Sequence, residues 1–256
     1  LYLGGQTELA SRLLTQASAQ VGGRLPAAAV ASMLRADLPR AAAAQLTGPG
    51  RLAPYATPSP LHVRARVAGS AVLLGGGQIA LAPLAAVQGA RALWVRNGLG
   101  ETVTARMVGK AAAGGVARLQ LAQRLPLADQ AGPAPGQAFP GSMVFAAEFV
   151  PGPGALPAWP ILRAGFLGQP DGEQGLDRRL GIGMPAGPRG GPVYDRWGRW
   201  MGMGVRSGRY DLLIPAARLG GDAMSRNAAA AAQQVVSADE IYERAMRQTL
   251  QLIAAG

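Results

Sequence analysis

Between residues 61 and 218 the sequence consists of short apolar runs separated by clusters of glycine and proline, and this pattern constrains the fold more than any other feature. Residues 72–74 and 78–81, for example, are two such runs on either side of three consecutive glycines at 75–77. Short runs with turn residues between them are typical of antiparallel strands. The sequence therefore predicts an all-β core, either a barrel or a sandwich.

The first strand of this core is predicted at residues 61–67, where apolar and polar side chains alternate and His62, Arg64 and Arg66 share one face. The proline- and glycine-rich residues 150–160 are typical of a connection between two domains. Further strands are predicted at residues 92–96, 103–108, 119–121, 143–147, 161–166, 180–184, 193–194, 200–205 and 212–214.

The regions on either side of the core have a helical period instead. Apolar side chains at helical spacing, interrupted by Gly22 and Gly23, predict a helical extension over residues 1–50. Ser237 is followed three residues later by Glu240, a capping-box pattern that predicts the start of a C-terminal helix over residues 237–256. Linkers are predicted at residues 51–60 and 221–236.

The chain contains a single histidine, His62, and no cysteine. The lack of cysteine excludes Cys–His catalysis, cysteine-rich zinc sites and disulfide bonds. A serine hydrolase needs a base near its nucleophile, and histidine is the usual one. Any histidine-dependent triad must therefore use His62. The glycines at 75–77 lack the lysine and following helix of a phosphate loop, and we predict no cofactor and no metal.

The net charge of +11 comes almost entirely from arginine, since Lys110 is the only lysine. The arginines are spread along the chain, and we find no nucleic-acid-binding motif. Two interpretations stay open: a genome composition that favours arginine codons, or long-range attraction to an anionic partner. Apolar stretches end well before the roughly 18 residues that a spanning helix needs, so no transmembrane segment is predicted.

Three stretches resemble the trypsin-like serine peptidases, especially the bacterial HtrA branch. Residues 69–81 resemble the hairpin that leads into the family's catalytic histidine. Residues 187–192 (G-P-R-G-G-P) resemble the G-[DN]-S-G-G-P loop around the nucleophile, and residues 193–202 resemble the hairpin after it. Residues 213–215 (L-I-P) resemble the family's late strand.

This resemblance spans roughly residues 61–218 and implies an all-β core of two six-stranded antiparallel β-barrels of the chymotrypsin type. It implies that residues 61–149 form the first barrel and residues 150–220 the second. The N-terminal helical extension and the C-terminal helix lie outside the resemblance.

The resemblance places unreactive residues at the three catalytic positions. The histidine position falls on Ala85, the aspartate position on Gly115 and the serine position on Arg189. Alanine and glycine have no group that accepts a proton, and arginine is a permanent cation that cannot attack a carbonyl. The resemblance therefore implies an inactive serine protease homologue without catalytic residues.

The loop around Arg189 is nevertheless a candidate binding region. Gly187 and Arg189 keep the backbone N–H groups that face the substrate oxyanion in the family, and Gly190 follows them. Two roles for Arg189 stay open. Its guanidinium fills the former cleft and pairs with a local carboxylate, or it binds an anion such as a peptide C-terminus.

A second candidate binding region is the strand formed by Met203, Gly204, Val205 and Arg206. These residues match the strand edge that pairs with substrate peptide in the family. Peptide binding by strand addition needs an open edge and no catalytic triad.

Two classes of function follow. The first is a non-catalytic pseudoprotease that binds protein or peptide as a scaffold subunit of a larger bacterial envelope assembly. The alternative is an active serine endopeptidase whose catalytic residues lie elsewhere. Family analogy implies a periplasmic or secreted location, although the chain contains no visible signal peptide. Residues 1–50 are expected to pack either on the barrels or on another protein.

Overall fold

The part of the chain that the structure, a computed structural model, describes comprises residues 61–62, 64–110, 115–127, 138–171, 177–183, 190–219 and 235–256. These residues form two closed six-stranded antiparallel β-barrels. The all-β core predicted from the strand pattern and the two-barrel architecture implied by the resemblance are both confirmed. The predicted helices of residues 1–50, the linker at 51–60 and most of the linker at 221–236 lie outside the described residues.

The first barrel has the strand order β1-β12-β3-β4-β5-β2. Its interior is lined by small and branched side chains such as Ala71, Leu73, Leu119 and Leu252, all of them fully buried. A short helix, α1 (Leu84–Val87), follows its second strand. The strands are β1 (Arg66–Leu74), β2 (Ile79–Pro83), β3 (Ala92–Asn97), β4 (Thr102–Lys110), β5 (Val116–Leu121) and β12 (Thr249–Ala255).

The second barrel has the order β10-β11-β8-β7-β6-β9. This barrel includes strand β6 (Met143–Glu148), which the predicted boundary between residues 149 and 150 had assigned to the first barrel. That boundary is therefore wrong. The strand predicted at 180–184 is shifted, since β8 ends at Gly181 after pairing with β7 and β11. The strands are β6 (Met143–Glu148), β7 (Ile161–Asp171), β8 (Asp177–Gly181), β9 (Pro192–Asp195), β10 (Trp200–Ser207) and β11 (Tyr210–Pro215).

The proline- and glycine-rich segment between β6 and β7 connects two strands of the same barrel, so the prediction of an interdomain connection is wrong. The segment instead lies across the first barrel, where Gly152 forms a β-bridge with Val67. The guanidinium of Arg96 donates to the Ala155 carbonyl over 2.8 Å and to the Gln251 side-chain oxygen over 3.0 Å. Burial lowers the pKa of Arg96, and these hydrogen bonds offset the cost of its desolvation.

The C-terminal region begins as predicted and ends differently. Helix α2 (Ala238–Gln248) starts with the Glu240 N–H donating to the Ser237 hydroxyl over 3.3 Å, which confirms the predicted cap. The prediction of helix to residue 256 is wrong, because the chain continues as strand β12. In β12, Leu252 faces the barrel interior, whereas Ile253 packs outside with Trp94. Strands β1 and β3 both pair with β12 along its length.

The strand predicted at residues 61–67 is also wrong, because β1 begins only at Arg66. The Ala65 N–H donates to the His62 carbonyl over 2.8 Å, which closes a turn. The pairing of β1 with β12 starts at Arg66 opposite Ala254, so the described residues 61, 62, 64 and 65 lie outside it. His62 and Arg64 are exposed in the turn.

A shared apolar cluster joins the two barrels and α2. Val72 and Leu81 of the first barrel pack with Trp200 of the second and with Ile241 of α2. The Tyr194 hydroxyl donates to the Gln248 side-chain oxygen over 2.8 Å within this region. Burial raises the pKa of Tyr194 far above its usual range, so the phenol stays neutral. Neither described helix is long and apolar enough to cross a membrane.

We predict that Leu252→Ala lowers the free energy of unfolding by about 2–5 kcal/mol, because it removes a fully buried side chain from the first barrel and leaves a cavity. Leu156→Ala is the matched control, since that side chain is 55% exposed and the change should stay within about 0.5 kcal/mol. Urea denaturation measures both. Equal effects of the two substitutions would contradict the placement of β12.

Candidate functional site

Ala85 lies on the short helix α1, directly after the second strand of the first barrel. Its neighbours Ala86 and Val87 are buried and anchor the helix, whereas Ala85 is exposed. A methyl group there neither accepts nor donates a proton. The Leu84 N–H donates to the Gly115 carbonyl over 2.8 Å, which connects α1 to the turn before β5.

Gly115 occupies that turn with a φ of +81°. A left-handed backbone of this kind favours glycine over residues with a Cβ. A Cβ at this position would meet no atom within 4 Å, so the conformation and not the available space explains the glycine. The hydrogen bond to Leu84 places Gly115, the position matched to the family's aspartate, against the residue that precedes Ala85.

Gly190 is the first described residue after the segment that contains Arg189. A Cβ on Gly190 would overlap the Ser70 carbonyl oxygen and the Pro83 ring. Since Pro83 immediately precedes α1, this end of the Arg189 loop lies near the start of that helix. We call the region formed by Pro83, Ala85, Gly115 and Gly190 the Pro83 site. Of the residues predicted to bind, Gly187 and Arg189 lie outside the described residues.

Gly191 gives this loop a second close contact, on the other barrel. A Cβ on Gly191 would overlap the Ala147 carbonyl oxygen and approach the Cγ of Glu148. The two consecutive glycines thus pass between a strand of the first barrel and a strand of the second. Their lack of side chains permits this close packing.

Ser70 borders the Pro83 site but has a structural environment. Its side chain is fully buried, and its hydroxyl accepts from the Phe149 N–H over 2.7 Å. The same hydroxyl donates to the Phe149 carbonyl at 3.4 Å. Both contacts connect the first barrel to the end of β6, and they occupy the oxygen that a nucleophile would need.

Glu148 is a residue near the site that the sequence analysis missed. It is only 5% exposed, and a carboxylate oxygen lies near Gly204, whereas its Cγ lies near Gly191. A buried carboxylate needs partners that offset its desolvation. The sequence contains one indication of it, because Glu148 is the only charged residue in the apolar run 143–150.

The second predicted binding region, on β10, is paired on both sides over the first part of its length. Met203 pairs with Pro192 on one side and with Ile214 on the other. The Gly204 N–H donates to the Gly191 carbonyl over 2.9 Å. The prediction of an open edge is therefore wrong at Met203 and at the Gly204 N–H.

Beyond Gly204, Val205 and Arg206 pair only with β11 within the described part of the chain. Successive residues of a strand direct their backbone groups to alternate sides. Because the Gly204 N–H points toward β9, the backbone groups of Arg206 point to that side too. The Arg206 side chain turns away to Asp211, whose carboxylate accepts from its Nε over 2.8 Å.

His62 lies on another surface of the first barrel. Its Nδ1 accepts from the Arg64 N–H over 3.1 Å. It lines a cleft together with Arg91 and Trp94, and the residues that line this cleft include none of the Pro83 site. The chain's only histidine is thus separated from the position matched to the catalytic base.

We predict that Gly190→Ala destabilises the protein by about 1–3 kcal/mol, because the added methyl group overlaps backbone of the first barrel. Gly183→Ala is the matched control, since a Cβ there meets no atom within 4 Å. Thermal unfolding compares the two variants. A Gly190→Ala protein as stable as Gly183→Ala would contradict the close packing of the loop on Ser70 and Pro83.

Comparisons with known proteins gave likeness at the level of structure alone. No protein-family model matches the chain. No curated protein matches it either. Among solved structures, the chain is similar to one described as the HtrA-type protease AlgW with decapeptide, at 19% sequence identity and a TM-score of 0.48. That match covers 57% of this chain and 47% of the AlgW chain.

A second similar structure is a serine-to-alanine variant of AlgW with decapeptide, at 17% identity and a TM-score of 0.47, covering 58% of this chain and 47% of that one. This chain thus spans about half the length of the AlgW chains that it matches. The strand topology by itself gives the chain two closed six-stranded antiparallel barrels, the chymotrypsin-type architecture.

Proposed function

We propose that this protein is a non-catalytic trypsin-like protein that binds a peptide or protein segment by strand addition. The observation that carries the proposal is the backbone of Arg206, whose outward N–H and C=O have no strand partner within the described residues. An extended peptide can pair with such groups without any catalytic residue.

The residues at the Pro83 site support the non-catalytic part of the proposal. Gly115 accepts a hydrogen bond from Leu84, the residue before Ala85, but Ala85 and Gly115 offer neither a base nor a group that orients one. Ser70 is buried and hydrogen-bonded to the backbone of Phe149. His62 lies on a different surface of the first barrel from the Pro83 site. Arg189, which stands at the serine position of the matched motif, supplies positive charge in place of a hydroxyl.

The biological setting that fits this activity is that of a scaffold subunit in a larger assembly. A barrel that binds a segment without cleaving it stays attached to its partner. We extend the proposal to an envelope assembly in the bacterial periplasm, or to a secreted complex, by analogy with the HtrA branch.

The strand-addition proposal predicts that Arg206→Pro abolishes peptide binding and that Arg206→Ala preserves it. Proline removes the outward N–H and is tolerated at an open strand edge, whereas alanine changes the side chain alone. The measurement is retention of phage-displayed random dodecapeptides on the immobilised protein. We expect at least a tenfold loss for Arg206→Pro. Similar retention by both variants would contradict strand addition at β10.

The non-catalytic proposal predicts no labelling by a fluorophosphonate probe, because activation of a serine needs an adjacent base. Trypsin labelled in parallel is the positive control. Arg189→Ser should stay unlabelled as well, since Ala85 still provides no base. Stoichiometric labelling of any serine in the unmodified chain would refute the proposal and favour an active endopeptidase with other catalytic residues.

A further inference from the structure

The cleft beside His62 has the features of a second binding site, on a different surface from the Pro83 site. Its volume is about 620 Å³, within the range of ordinary small-molecule pockets. Trp94 and Ala255 form its apolar floor and belong to a buried cluster with Ile253. Leu61 packs against the same cluster and provides a further apolar wall.

The charged side chains that line this cleft are both arginines. Arg64 and Arg91 are exposed at its rim. Within the described part of the chain, no carboxylate pairs with either guanidinium. No acidic side chain is among the residues that line the cleft. An anion bound there would therefore displace no ion pair between described residues.

Backbone hydrogen bonds fix the positions from which these side chains extend. The Arg91 N–H donates to the Ala255 carbonyl over 2.9 Å, which attaches it to the end of β12. The turn at His62 and Ala65 positions Arg64. Because Nδ1 of His62 accepts a hydrogen bond, the neutral ring carries its proton on Nε2 and has a further N–H to donate.

We propose that this cleft binds an amphipathic oxyanion, a ligand with an apolar stem and a terminal carboxylate or phosphate. The stem packs on Trp94 and Ala255, and the oxyanion accepts hydrogen bonds from Arg64 and Arg91. Arginine suits this role because its planar fork donates two parallel hydrogen bonds to either kind of oxyanion. This inference is independent of strand addition at β10, which uses the other barrel.

The test is calorimetric titration of the full chain with octanoate and with its neutral analogue octanamide. We expect octanoate to bind at least about tenfold more tightly than octanamide, because one charge-assisted hydrogen bond changes a dissociation constant by about that factor. Octyl phosphate distinguishes the two oxyanions, since a tighter affinity than that of octanoate indicates a phosphoester ligand and a weaker one indicates a carboxylate.

Substitutions of residues that line the cleft test whether the ligand binds there. The double variant Arg64→Gln with Arg91→Gln should lose about tenfold in octanoate affinity without a change in melting temperature, because both side chains are exposed. Arg106→Gln is the matched control: it removes an exposed arginine of the same barrel that does not line the cleft. Trp94→Phe should abolish any change in tryptophan fluorescence on binding while the heat of binding remains.

Three results would overturn the proposal. The first is equal binding of octanoate and octanamide, which would show that charge has no part. The second is unchanged affinity in the double variant, which would place the ligand elsewhere. The third is an equal loss in Arg106→Gln, which would indicate attraction to the overall positive charge instead of a site.

Discussion

Closure of the first barrel by the C-terminal strand β12 is the interaction on which the rest of the structure depends. Strand β12 pairs with β1 on one side and with β3 on the other, and all seven of its residues are buried. Without it, both neighbours would present unpaired backbone groups. Its Gln251 contacts Arg96 and, through its side-chain amide, the Leu156 carbonyl in the segment between β6 and β7. Closure of one barrel is thereby coupled to the packing of the other.

The Pro83 site depends on that arrangement because it is built across both barrels. Gly190 packs on Ser70 and Pro83, and Gly191 packs on Ala147. These contacts at Gly190 and Gly191 therefore determine the position at which the loop that carries Arg189 ends. The contacts of Gly190 and Gly191 hold this part of the loop without using a side chain of the loop itself. Gly115 contributes through its left-handed backbone, which favours a residue without a Cβ.

Several features of the site followed from the sequence because they depend on residue type. The absence of cysteine excludes Cys–His catalysis and disulfide bonds, and the single histidine restricts any histidine-dependent triad to His62, wherever these residues lie in space. The cap at Ser237 was equally local, since donor and acceptor are three residues apart. The position of Glu148 could not be derived in this way, because its burial results from strands that are distant in sequence.

The sequence by itself determined an all-β core, because short apolar runs and glycine–proline turns restrict the backbone locally. Tertiary structure decided which strands form each barrel. It moved β6 into the second barrel and made residues 249–255 a strand, although this run is apolar or neutral throughout and has no diagnostic period. A strand that is buried on both faces does not alternate between apolar and polar residues, so its sequence does not distinguish it from a helix. Residues 249–255 form a strand because they pair with the edges of β1 and β3. Strands that pair are distant in sequence, so their pairing cannot be derived from local patterns. It is determined in the closed barrel, where each strand finds hydrogen-bond partners on both sides.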